Sequence, residues 1–137
     1  MALEGSVRKK DRRLLIVDDQ EDIAALLGAL LSERGYEVAI ARHGREALAL
    51  AAQFGPDAVM LDVMMPEMDG WKVLAALRRR SGTAPLPVIM MSAAVDPRHP
   101  GLARERGAAY LEKPFRLAQA VSALDAVLPA EHSDAVA

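Results

Sequence analysis

The stretch Leu14-Leu15-Ile16-Val17-Asp18-Asp19 decides how this chain is read: four apolar residues without interruption, then two carboxylates. A continuous aliphatic run of this length suits a central strand covered on both faces, as in a parallel sheet. The pattern returns at Ala58 to Leu61, followed by Asp62, and at Val88 to Met91, followed by Ser92. Tyr36 to Ile40 and Ala108 to Glu112 are more mixed, which suits edge strands, and the second of these runs into Lys113.

Between these runs the apolar period changes to that of a helix. Ile23, Leu26, Leu27, Leu30 and Leu31 predict a first helix closed by a left-handed cap at Gly35. Ala47, Leu48, Ala51 and Phe54 predict a second, ended by Gly55-Pro56, and Val73, Leu74 and Leu77 a third, started by Asp69. Leu117, Val121, Leu124 and Leu128 mark the last. In the segment from Asp96 to Gly107, Pro97, Pro100 and Gly101 leave room for a short, mobile fourth helix following them. Five strands alternating with five helices predict a doubly wound α/β domain with a five-stranded parallel sheet in the order 2-1-3-4-5.

The length of 137 residues fits one domain. It divides into a basic tail over 1–12, a folded domain over 13–129 and a tail over 130–137 too short for an output domain. The basic run Arg8, Lys9, Lys10, Arg12 and Arg13 reads as a solvated segment. A formal charge of -2 gives no overall field to gather nucleic acid or an anionic membrane. The absence of cysteine excludes disulfides, thiolate metal sites and a cysteine nucleophile. The longest uncharged apolar stretch, Ile23 to Leu31, is about half a bilayer span, and Met1 to Arg13 lacks the pattern of a secretory signal. A cytoplasmic protein is expected.

In open parallel sheets the ligand site lies beyond the carboxyl ends of the strands. Asp18, Asp19, Asp62, Ser92 and Lys113 all fall there. Each alone has an ordinary role: Asp18 or Asp19 capping the first helix, Asp62 opening the turn toward Pro66, Ser92 a cap, Lys113 an exposed lysine. Together they form an acidic crevice. Two carboxylates ~4 Å apart repel by roughly 4 kcal/mol at an effective dielectric of ~20, so the cluster must take up protons or a cation. With oxygen ligands alone, magnesium, or manganese in its place, is favoured over zinc.

These pieces, LLIVDDQED at 14–22, DAVMLDVMMPEMDGWKVL at 57–74, VIMMSA at 88–93 and GAAYLEKPF at 107–115, resemble the receiver domain of two-component response regulators over about Leu14 to Leu128. The resemblance implies the CheY-like, flavodoxin-like form of the fold. It also implies that Asp62 accepts a phosphoryl group from a histidine kinase, a phosphotransfer protein or a small acyl phosphate. Asp19, Asp62 and the backbone carbonyl of Met64 would bind magnesium, with Asp18 acting mainly through water. Lys113, Ser92 and the backbone N–H of Ala93 would hold the phosphoryl oxygens.

By the same resemblance, Ser92 moves inward on phosphorylation and Tyr110 fills the space behind it; a half-buried tyrosine with its hydroxyl in water is the plain alternative. The Lys113–Pro114 peptide bond is expected to be cis. The Met65-Pro66 turn and Gly70 shape the loop after Asp62, Trp71 is a packing residue, and Met64 and Ala94 flank the path of hydrolytic water. The fourth helix, fifth strand and fifth helix form the surface that switches binding of a downstream protein, and a homodimer through that face is compatible with it. No nucleic-acid or membrane partner is expected, and no enzyme beyond self-phosphorylation and slow dephosphorylation. A phosphorylation-independent interaction module is the alternative; a haloacid dehalogenase-type hydrolase would need an acid where Met64 stands.

Overall fold

The computed structural model describes residues 12–93 and 96–129. The basic residues Arg8, Lys9 and Lys10, the tail over 130–137 and Ala94 lie outside the described residues. The strands are β1 (Arg13–Val17), β2 (Glu37–Ala41), β3 (Ala58–Asp62), β4 (Val88–Ala93) and β5 (Ala109–Lys113). The helices are α1 (Glu21–Glu33), α2 (Gly44–Gln53), α3 (Gly70–Arg79), α4 (His99–Glu105) and α5 (Leu117–Val127). All pairings are parallel and the sheet order is β2-β1-β3-β4-β5. The fold class, the strand order and the two mixed strands at the edges are as the sequence predicts.

Alternation along the strands builds two cores, one on each face of the sheet. Leu15, Val17, Val59, Leu61 and Met90 pack against α2, α3 and α4. Leu14, Ile16, Met60, Ile89, Met91 and Leu111 pack against α1 and α5. Helix ends follow local chemistry: the Asp69 carboxylate accepts from Lys72 N–H at 3.0 Å at the start of α3, and Gly35 takes the left-handed φ of +101° just past α1.

Two expectations, and one of the alternative roles weighed for Asp18 and Asp19, need correction. The first helix is capped by neither Asp18 nor Asp19, since its N-cap is Gln20, without a side-chain cap bond. The fourth helix does not wait for Pro100 and Gly101 but contains them in its first turn, where the missing proline N–H has no intrahelical partner to lose. Arg13 is not a solvated tail residue: it opens β1, meets Glu37 at 3.3 Å, donates to the Phe54 carbonyl and stacks over the Phe54 ring.

The apolar arc of α1 is also wider than the surface it buries. Ala24, Leu27, Gly28 and Leu31 face inward, while Ile23 and Leu26 are 51% and 62% exposed. Leu31→Ala should therefore cost about 2–4 kcal/mol of unfolding free energy, and Leu26→Ala no more than about 0.5 kcal/mol, as read by urea denaturation.

Candidate functional site

Strand alternation also sorts the polar residues at the carboxyl edge. Asp18, Asp62 and Lys113 share the parity of Ile16, Met60 and Leu111, and so leave the sheet on the α1/α5 side. Ser92 and Tyr110 share the parity of Met90, on the α3/α4 side. The site thus has a charged half and a hydroxyl half, separated by the pleat.

In the charged half, carboxylate oxygens of Asp18, Asp19 and Asp62 lie within 4.8 Å of one another. Asp18 and Asp62 are buried and Asp19 is exposed. Lys113 Nζ donates to Asp18 Oδ2 at 2.8 Å and stands 3.5 Å from Asp62 Oδ1, so its shorter bond is to Asp18. The other oxygen of Asp18 accepts from the Gln20 N–H at 3.0 Å, which ties the carboxylate to the start of α1. Burial, then the neighbouring Asp18, pushes the Asp62 carboxyl up to about 6, against the opposing pull of Lys113 and of the Met64 N–H bonded to it.

Asp62 is the last residue of β3, and its backbone is held from behind. Gly70 N–H donates to the Val63 carbonyl at 2.8 Å. A Cβ on Gly70 would overlap the carbonyl oxygen of Asp62 and stand 2.9 Å from Val63 Cα, so close approach is what this position demands. The loop between them turns through Glu67, whose φ is +70°, with Met68 N–H donating to the Pro66 carbonyl at 2.7 Å. Met64 stands at the rim, 60% exposed.

In the hydroxyl half, Ser92 is fully buried. Its Oγ lies 2.9 Å from the Tyr110 hydroxyl, 3.1 Å from the Ala93 carbonyl and 3.1 Å from His99 Nδ1. Tyr110 is half-buried with its hydroxyl on Ser92 rather than in water alone. Trp71 packs at the edge of the α3/α4 core, as a packing residue should, with its ring edge-to-face on His99. The Lys113–Pro114 peptide bond is cis. His99 is a buried residue that the sequence reading missed. Its one signal was a histidine beside Pro100, seven positions after Ser92 and without periodic context.

The electrostatics give a signed expectation in metal-free buffer. Asp62 is protonated in folded and unfolded chains alike at pH values well below 3.8; between 3.8 and about 6 the folded chain alone retains the proton. Native stability attributable to Asp62 is therefore present at low pH and lost as pH rises through about 6. Asp62→Asn should be as stable as the native chain near pH 3 and more stable by on the order of 2–3 kcal/mol at pH 7.5, measured by urea denaturation.

Comparison with known proteins agrees with this geometry. The family described as the response regulator receiver domain matches residues 14–125. The transcriptional regulatory protein PrrA of Mycobacterium tuberculosis is 44% identical over 117 residues, covering 85% of this chain and 49% of PrrA. The DNA-binding dual master transcriptional regulator RpaA of Synechocystis is 38% identical over 117 residues and is covered to 48%. The chain thus spans about half the length of the curated relatives it matches. Among solved structures, chemotaxis protein CheY4 of Vibrio cholerae superposes with a TM-score of 0.80 at 34% identity, over 85% of this chain and 98% of that one. The NtrX receiver domain of Brucella abortus superposes with a TM-score of 0.78 at 30% identity, over 84% and 97%. On sequence and fold together, this chain belongs to the response regulator receiver family of two-component signalling, whose members act as phosphoacceptors.

Proposed function

We propose that Asp62 is the phosphoacceptor and that the chain acts as a magnesium-dependent receiver for a histidine kinase or a histidine phosphotransfer protein. The observation that carries this reading is the buried Asp62 at a strand end, with two further carboxylates and one ammonium around it. An oxygen of Asp62 attacks phosphorus, the P–N bond of the phosphohistidine breaks, and the departing imidazole takes up a proton. The product is an aspartyl phosphate, later cleaved when water attacks phosphorus and the Asp62 carboxylate leaves.

The donor set fits a hard divalent cation. All its side-chain ligands are carboxylate oxygens, and Asp62, raised first by burial and then by the neighbouring Asp18, is a carboxylate whose ionised form a cation would stabilise. Asp19, Asp62 and the Met64 backbone carbonyl would hold magnesium or manganese directly, and Asp18 mainly through water. When bound, the ion supplies charge neutralisation that lets the anionic donor approach the carboxylates. Lys113 is within reach of Asp62 and would exchange Asp18 for a phosphoryl oxygen, joined by the Ser92 hydroxyl and the Ala93 N–H. The resulting shift of Ser92 and Tyr110 would alter the face of α4, β5 and α5 toward a downstream protein or a second copy of the chain.

The approach to Asp62 is bordered by an apolar groove. Ile23, Leu26, Leu30 and Phe115 line it, and it shares Asp18 and Lys113 with the acidic site. A protein presenting a phosphohistidine to Asp62 covers this groove, so we assign the exposed side of α1 to the phosphoryl donor. No helix among the described residues is long and apolar enough to cross a membrane, and a cytoplasmic location is our reading. The name of RpaA speaks of DNA binding by that protein. We assign no nucleic-acid contact to this receiver, and a DNA-directed output would belong to a longer protein built around such a domain.

Incubation with acetyl phosphate should add one phosphoryl group by intact mass, and the gain should vanish without magnesium and in Asp62→Ala. No gain from acetyl phosphate or from a kinase would favour the phosphorylation-independent module instead. Leu26→Glu should slow transfer from a cognate kinase about ten-fold or more while leaving the acetyl phosphate rate unchanged, because a charge then stands in the docking groove but outside the acidic cluster.

A further inference from the structure

His99 is buried and has no part in the phosphoryl chemistry above. Its ring meets Trp71 edge-on at 5.6 Å between centroids, and Arg106 covers Trp71 at 5.3 Å. Nδ1 lies 3.1 Å from Ser92 Oγ, and Nε2 lies 3.7 Å from Asp96 Oδ2. The Arg98 guanidinium bonds to Asp96 at 2.8 and 3.1 Å and holds that carboxyl well below the usual carboxylate range, so it stays ionised. Of the two neutral tautomers, a fixed negative charge on the Nε2 side favours the one with its proton on Nε2, in which Nδ1 is an acceptor.

Ser92 has one hydroxyl proton to give. The Tyr110 hydroxyl, at 2.9 Å, can donate into Ser92 and leave that proton free for Nδ1, with the Ala93 carbonyl at 3.1 Å as its competitor. The chain of donors then runs from Tyr110 through Ser92 to His99. It lies wholly on the α3/α4 side, whereas Asp62 leaves the sheet on the other.

We propose that His99 is a positioning residue that holds the Ser92 hydroxyl turned away from Asp62 until a phosphoryl group competes for it. The inference rests on the receiver reading and extends it. Ser92 cannot give its proton to a phosphoryl oxygen and to Nδ1 at once, so His99 sets the resting orientation against which modification of Asp62 must work.

Two substitutions separate the ring from its acceptor. His99→Phe keeps an aromatic ring against Trp71 and removes Nδ1, while His99→Asn offers an amide oxygen near the same place and gives up the ring. Beryllofluoride with magnesium, a stable mimic of the phosphoryl group, would be titrated into the full chain and followed by the fluorescence of Trp71, the single tryptophan. His99→Phe should lower the beryllofluoride midpoint about five-fold, and His99→Asn should stay within about two-fold of the native chain. Equal midpoints in the native and Phe chains, or equal shifts in both variants, would overturn the inference and leave His99 a packing residue. A native chain that does not respond, or an Asp62→Ala chain that responds like it, would overturn the receiver reading and this inference with it.

A second measurement needs no variant. Nitrogen-15 resonances of the native imidazole should report a proton on Nε2 and a hydrogen-bonded, unprotonated Nδ1, with that bond lost when beryllofluoride binds. A proton on Nδ1 in the resting chain, or an Nδ1 resonance that does not move, would equally overturn the proposal.

Discussion

Three carboxylates with oxygens inside 4.8 Å of one another are an arrangement that isolated side chains in water would not adopt. The backbone imposes it. Asp18 follows β1 and Asp62 ends β3, and these two central strands are neighbours in register, with Val17 beside Leu61. The strands fix where both side chains start, and the repulsion between them is left to be met by the Lys113 ammonium, by proton uptake or by a cation. Much of the remaining architecture serves this constraint. The two cores hold the strands rigid, and Gly70 lets the start of α3 press against the peptide of Asp62.

The pleat gives the site its second property. Because alternate residues leave opposite faces of the sheet, the strand edge that concentrates charge on the α1/α5 side places Ser92 and Tyr110 on the α3/α4 side. Ser92 follows Met91, the register partner of Asp62, and so joins the two halves along the backbone of β4. Beyond Ser92 the contacts are aromatic and continuous: His99, then Trp71, then Arg106 at the surface. A packed series of this kind has few intermediate arrangements, which is the condition under which a small displacement at one end becomes a discrete change at the other.

What could be read in the sequence was whatever has a short period or a strand end to mark it. Leu14–Val17, Ala58–Leu61 and Val88–Met91 announced central strands because burial on both faces removes every polar position. Asp18, Asp62 and Lys113 were visible because each stands where such a run stops. The limits of α4 were misread because proline and glycine weigh against helix interiors, while Pro100 occupies the first turn, where that weighting does not apply. His99 was invisible for another reason. Its meaning lies in contacts with Ser92, Trp71 and Asp96, which come from three parts of the fold, and no local pattern encodes their meeting. The excess of apolar residues on α1 was legible, but the sequence alone did not say which of them would be left in solvent.

Met64 stands two residues past Asp62, yet its side chain is mostly in solvent and takes no part in either core. Its backbone N–H is what serves Asp62, and every residue but proline supplies one. The side chain at this rim is therefore decoupled from folding: it can change size or polarity with little consequence for stability while remaining two residues from the buried Asp62. The lining of this rim and the integrity of the scaffold are thus separately adjustable, so that a lineage can change what borders the acidic cluster by one substitution without having to rebuild what carries it.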